Sequence, residues 1–106
     1  MAGDYGIQNF HDSGSWQGYG AYRRMPLEEA MRAAAEFAQN LHASPLGVRV
    51  TGPKGWVSDR IGGRQEITLI HNPLTDVWTV GCTKCSCTEE STDSYDPVRF
   101  ARRHQC

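Results

Sequence analysis

All four cysteines of the chain lie in its last quarter, and a histidine lies close to them in sequence. Cys82 and Cys85 have the C-x2-C spacing of a metal-binding knuckle, at which two thiolates can bind one ion at about 2.3 Å from each sulfur. His104 and Cys106 form a second pair farther along the chain. Three thiolates and one imidazole are a common structural zinc shell. We therefore predict one zinc ion held by Cys82, Cys85, His104 and Cys106.

Cys87 is an alternate ligand for the same ion. In an extended segment Cys85 and Cys87 point in the same direction, so Cys87 could replace Cys85. It could also complete an all-thiolate shell without His104, or displace Cys106. Three other states of the thiols stay open: two disulfides in an exported protein, an iron–sulfur cluster, and unligated cysteines. A closed shell of four protein ligands has no position for water, so the predicted metal is structural.

A short helix must carry the second ligand pair. Asp96-Pro97 combines an N-cap residue with a proline at the first helical position, which predicts a helix from Val98 to His104. At about 100° per residue, His104 falls on the apolar side of this helix. His104 and Cys106 cannot both face inward from one regular helix, so the helix must end near His104. Three arginines share its opposite face: Arg99, Arg102 and Arg103.

The clearest helical pattern in the chain covers residues 26–43. Pro26 suits a first helical position, and Ser44-Pro45 predicts the end of the helix. Apolar residues recur there at steps of three and four, as on the buried face of an amphipathic helix: Leu27, Ala30, Met31, Ala34, Phe37, Ala38 and Leu41. We predict that this stripe packs on a sheet of the same domain.

Strand patterns follow this helix. Residues 48–51, 66–71 and 77–80 are rich in β-branched and aromatic side chains, and residues 72–76 suit a hairpin loop. Polar loops are predicted at residues 59–65 and 88–95; Gly62-Gly63-Arg64 in the first is too short for a phosphate-binding loop. The predicted fold is α+β, with one long helix on a short antiparallel sheet and a C-terminal zinc-stapled knuckle followed by a short helix.

Glycine and aromatic residues alternate irregularly in residues 1–25, with neither a helical nor a strand period. We predict that this segment is an N-terminal arm and that residues 26–106 form a single small domain. Tyr and Trp are favoured as anchors at protein interfaces. The arm therefore supplies three candidate partner-binding residues: Trp16, Tyr19 and Tyr22.

Composition and charge restrict the class of protein. The chain has 106 residues and a net charge of −1, and no segment approaches the roughly 20 apolar residues of a membrane span. Met1–Gly6 lacks the basic and apolar regions of a secretion signal, so we expect a reducing cytoplasmic compartment, where clustered cysteines favour metal over disulfides.

The remaining histidines are isolated in the sequence, and the chain has no catalytic triad or H-E-x-x-H motif: His11, His42 and His71.

The arginine face of the terminal helix is the candidate contact for phosphate groups. Acidic residues in the same segment balance its charge: Glu89, Glu90, Asp93 and Asp96. Together with the net charge of −1, this balance predicts a solvated or partner-binding face rather than a basic patch for nucleic acid.

Two sequence motifs resemble small zinc-binding proteins encoded by phages of actinobacteria: Trp78-Thr79-Val80-Gly81-Cys82-x2-Cys85 and Phe100-Ala101-Arg102-Arg103-His104-x-Cys106. The resemblance covers residues 78–106 and implies a zinc module and a phage origin, without an activity. We predict a non-enzymatic, zinc-stapled binding or scaffolding protein that contacts other proteins, as a host-directed factor or a virion or complex component, in the host cytoplasm or the virion. The alternatives are a zinc-dependent nucleic-acid-binding module and a small enzyme.

Overall fold

Two three-stranded antiparallel sheets and two short helices make up the fold in a computed structural model, which describes residues 3–18 and 24–106. The first sheet has the order β2-β1-β3 and contains Gly6–His11 (β1), Ser15–Gly18 (β2) and Val48–Thr51 (β3). The second has the order β4-β5-β6 and contains Ile67–Asn72 (β4), Val77–Cys82 (β5) and Thr88–Ser91 (β6). The helices are Leu27–Phe37 (α1) and Asp96–Arg103 (α2). Neither has the length and apolar content to cross a membrane, nor does any other helix in the described residues.

The prediction of one long helix on one short sheet is wrong. Helix α1 ends at Phe37 instead of continuing to residue 43. Asn9 holds the segment after the helix against β1, because its side chain accepts a hydrogen bond from Ser44 N–H (2.7 Å) and donates one to the His42 carbonyl (3.1 Å). Leu41, the last residue of the predicted stripe, is fully exposed. Tertiary hydrogen bonds thus override the local helical pattern.

Strand β1 is the central strand of the first sheet and is buried on both faces. Ile7 packs in a cluster with α1, while Phe10, three residues later and on the opposite face, packs in the core of the second sheet. Residues 1–25, which were predicted to form an arm because they have no strand period, therefore contain the two strands β1 and β2. A strand buried on both faces lacks the apolar–polar alternation by which half-buried strands are recognised.

Helix α1 packs on the first sheet through its smallest side chains. Ala30 and Ala34 are fully buried against aliphatic side chains of the sheet: Ile7, Val48 and Val50. Phe37 is half-buried against the same cluster. The predicted stripe therefore contributes to the core mainly through alanine, and the larger Leu27 and Met31 stay exposed.

The second sheet and α2 form the core that carries the cysteines. The predicted hairpin is confirmed, with Ile67 opposite Cys82 in the pairing of β4 and β5. Helix α2 buries its apolar face in this core: Val98, Phe100 and Ala101. Strand β6 lies in a segment that was predicted to be a loop, because a short, polar edge strand lacks an apolar pattern. This packing brings the end of α2 to the end of β5.

Candidate metal centre

The structure brings the four predicted ligands together, since the ligand atoms of Cys82, Cys85, His104 and Cys106 all lie within 4.8 Å of one another. Cys85 Sγ is 3.1 Å from His104 Nε2, and Cys82 Sγ is 3.4 Å from Cys106 Sγ. Cys106 Sγ lies 3.8 Å from His104 Nε2. Ligand atoms around a tetrahedral zinc ion, with bonds of about 2.3 Å to sulfur and 2.0–2.1 Å to nitrogen, are about 3.5–3.8 Å apart. The cluster could therefore hold a metal ion.

The first half of the cluster is a tight turn at the end of β5. Cys82 N–H donates to the Cys87 carbonyl and the Cys82 carbonyl accepts from Ser86 N–H, both at 2.9 Å. Ser86 has a left-handed backbone with φ of 58°. The turn places the Cys85 side chain in the cluster, whereas Cys87 is exposed and is not a member of it. None of the four cysteines forms a disulfide in the structure.

The second half follows helix α2. The prediction that the helix ends near His104 is confirmed, because α2 ends at Arg103 and His104 has an extended backbone (φ −69°, ψ 130°). The His104 ring stacks on Phe100 with centroids 4.7 Å apart. This stacking orients the imidazole, and the extended backbone directs Cys106 back toward Cys82.

Arg64 connects the two halves. Its Nη1 donates to the Ala101 carbonyl at 2.8 Å and to the His104 carbonyl at 2.6 Å, and its Nε donates to the Glu66 carboxylate at 2.8 Å. The Glu66 carbonyl in turn accepts from Thr83 N–H at 2.9 Å, inside the knuckle. Arg64 and Glu66 thus hold the helix end and the knuckle against each other.

Sequence reasoning missed the position of Arg64 because no ligand motif contains it. The Gly62-Gly63-Arg64 segment instead packs beside residues 45–47. Arg64 N–H donates to the Pro45 carbonyl at 2.7 Å, and a Cβ on Gly63 would come within 2.6 Å of Gly47 N. Gly63 also has a φ of 68°, so this close approach requires glycine.

The thiols of the cluster titrate as a group. The Cys106 side chain and the Cys87 backbone N–H donate hydrogen bonds to the Cys85 sulfur, which lowers the pKa of Cys85 to about 7. The same contact with Cys85 raises the pKa of Cys106 to about 12, since Cys106 keeps the shared proton. Burial raises the pKa of Cys82, but hydrogen bonds from Cys85 N–H, the Cys106 side chain and Lys84 N–H outweigh this effect and lower it. Inward-pointing N–H groups also suit metal-bound thiolates.

The arginine face of α2 is neutralised within the chain. Each guanidinium contacts at least one carboxylate within 3.2 Å: Arg99 with Asp93 and Asp96, Arg102 with Asp12, and Arg103 with Glu89. Exposed ion pairs of this kind contribute little to stability. Each pair occupies at least one donor of its guanidinium and balances its charge, so this face presents no group of unpaired cations.

The aromatic residues predicted to bind a partner lie in different situations. Trp16 is half-buried and packs edge-to-face on Phe10, with ring centroids 5.1 Å apart. The Arg49 guanidinium lies 4.4 Å from the Trp16 ring centroid. Trp16 therefore has contacts within the chain, and its role at an interface stays a prediction. Tyr19 and Tyr22 lie outside the described residues.

The isolated histidines form local contacts at the surface. His71 Nε2 lies 2.8 Å from the Asp76 carboxylate, and its ring stacks on Trp78. His11 Nδ1 lies 2.7 Å from Ser13 Oγ. The backbone carbonyl of His42 accepts the hydrogen bond from Asn9.

Comparison of the chain with protein-family models, with curated proteins and with solved structures finds no match.

Proposed function

We propose that this chain is a small binding or scaffolding module in which one zinc ion, held by Cys82, Cys85, His104 and Cys106, secures the end of α2 to the β5 knuckle. The observation that carries the proposal is the convergence of these ligand atoms within 4.8 Å from two separate segments. Three thiolates and one imidazole that lie within 4.8 Å of one another favour zinc. Cross-linking the two segments through an ion stabilises the folded state, because the unfolded chain lacks the assembled site.

A structural role for the ion follows from its proposed ligands. All positions of the tetrahedral shell are protein side chains, which leaves none for a water nucleophile or a substrate. Cys82 is buried, Cys85 and His104 are half-buried, and Cys106 is exposed, so the site lies at the border between the core and the surface. We therefore propose a role without catalysis at this metal.

Contacts with another protein are the proposed mode of action, with a host protein or a virion component as the partner. The paired arginines of α2 support this choice over nucleic acid. Exposed apolar side chains also border a cavity of about 490 Å³ beside α1: Leu27, Met31, Trp56 and Val57. Affinity purification from the native host, compared with a salt series of binding to random DNA and RNA, distinguishes the two modes.

Elemental analysis of protein purified under reducing conditions tests the metal. We expect about one zinc ion per chain. Cys85→Ser should abolish stoichiometric zinc binding, whereas Cys87→Ser, the matched control two residues away, should retain it. Natively purified protein without metal would contradict the proposal, and a brown, iron-containing protein would show that the cluster holds a different cofactor.

A further inference from the structure

The outer edge of β4 exposes backbone groups of known direction. Ile67 N–H donates to the Arg64 carbonyl at 3.0 Å, and the Ile67 carbonyl accepts from Arg60 Nη2. Both groups of Ile67 therefore point away from β5, although Ile67 is paired with Cys82. Antiparallel strands alternate between hydrogen-bonded and non-hydrogen-bonded pairs. It follows that Leu69 and His71 also direct N–H and C=O outward.

Beyond Ile67, whose outward groups are bonded to Arg64 and Arg60, strand β4 lacks the usual protection of an edge strand. Within residues 3–18 and 24–106, no strand pairs with its outer side. The strand, Ile67–Asn72, contains no proline, lysine or carboxylate, and has no bulge in its pairing with β5. Ile70, between the two outward-facing residues, is 64% exposed. Such an edge is a template for another strand.

A second copy of β4 fits this edge in one antiparallel register. In this register Ile70 lies opposite Ile70 of the second copy, and Leu69 of each copy lies opposite His71 of the other. The outward N–H and C=O groups of Leu69 and His71 then exchange hydrogen bonds. A shift in one direction would pair His71 with Ile67, whose groups are already bonded to Arg64 and Arg60. The opposite shift would pair Leu69 with Pro73, which has no N–H. The edge is therefore self-complementary about a two-fold axis, as a symmetric dimer requires.

We propose that two copies of the chain associate through β4, with a two-fold axis at Ile70, to form one continuous six-stranded sheet. The Ile70 side chains are directly opposite each other in a non-hydrogen-bonded pair, where cross-strand side chains are closest. The interface is small, so the expected dissociation constant is on the order of 10⁻⁴ M. This association is independent of the metal and adds a defined surface to the proposed scaffolding role.

Sedimentation velocity over concentrations from about 10 µM to 1 mM tests the proposal, with the full chain kept reduced to prevent disulfide-linked dimers. We expect reversible dimerisation in this range. Ile70→Lys places two ammonium groups across the axis and should weaken dimerisation at least about tenfold. Leu74→Lys is the matched control, because Leu74 is 94% exposed in the hairpin loop and lies off the edge; it should dimerise like the unmodified chain.

Amide hydrogen exchange provides a second readout. The N–H groups of Leu69 and His71 should gain protection as concentration rises, and Ile70→Lys should remove that gain. His71→Pro should also weaken dimerisation, because it deletes an outward donor without breaking a bond to β5. A chain that is monomeric at about 1 mM overturns the proposal. So does a dimer that Ile70→Lys and Leu74→Lys affect equally.

Discussion

Replacing Arg64 tests whether this residue positions the metal ligands. Arg64→Gln removes the bonds to the Ala101 and His104 carbonyls and the ion pair with Glu66. Each charge-assisted hydrogen bond contributes about 1.5–3 kcal/mol. The Arg64 side chain is 32% exposed, so water compensates for part of the lost hydrogen bonding. We therefore expect the free energy of unfolding to fall by about 2–3 kcal/mol.

The same substitution should weaken zinc binding. Residues that orient metal ligands typically change metal affinity about 10- to 100-fold when they are replaced. Competition with a chromophoric chelator measures this affinity, and the visible spectrum of the Co²⁺-substituted protein reports whether the ligand geometry is kept. Arg64→Lys should have an intermediate affinity, because an ammonium group keeps the charge but cannot reproduce the planar donor geometry.

Arg99→Gln is the matched control for Arg64→Gln. Arg99 lies on the same helix face as the other α2 arginines, is 57% exposed and is ion-paired with Asp93 and Asp96, away from the ligands. We expect the zinc affinity of the Arg99→Gln variant to equal that of the unmodified chain. If Arg64→Gln binds zinc and displays the cobalt spectrum of the unmodified chain, Arg64 has no positioning role and the inference from its hydrogen bonds is wrong.

Three further perturbations follow from the packing. Deleting residues 1–22 should unfold the chain, as measured by circular dichroism, because it removes the central strand of the first sheet; a folded remainder would mean that β1 is dispensable. Phe37→Asp should lower the free energy of unfolding by about 2 kcal/mol or more, measured by urea titration, and an unchanged midpoint would place Phe37 outside the core. Hydrogen bonds from Ser91 and Arg99 lower the pKa of Asp96 below its ordinary 3.8. Its carboxylate therefore stabilises the fold at neutral pH, and Asp96→Asn should lower the melting temperature at pH 7 with a difference that disappears as pH falls through the lowered pKa.

The members of the Cys/His cluster could be predicted from the sequence, because metal-binding chemistry depends on residue type and short spacing. Cys82 and Cys85, and likewise His104 and Cys106, are near neighbours in sequence, so each pair can reach one ion without knowledge of the fold. The end of α2 followed in the same way, since the two ligands of the second pair cannot share one helix face. Sequence alone could not predict whether Cys85 or Cys87 joins the cluster, because this depends on the left-handed turn at Ser86.

Long-range contacts account for the features that sequence reasoning missed. Strand β1 supplies Ile7 to one cluster and Phe10 to the other, so its apolar side chains are divided between two faces and do not alternate with polar ones along the strand. Helix α1 ends where it does because Asn9, far away in sequence, bonds to residues 42 and 44. Local sequence patterns cannot predict contacts between residues that are so far apart in the chain.

The features that the sequence predicts and those that only the tertiary structure reveals differ in one physical respect, the separation along the chain of the residues involved. Ligand chemistry and the β4–β5 hairpin depend on residues within a few positions of one another, and their energetics are local. The Arg64 contacts to the helix end and the Arg102–Asp12 ion pair join residues that are 37 to 90 positions apart. They form only when packing of both cores has closed the intervening chain, and that is why they emerge from the folded structure alone.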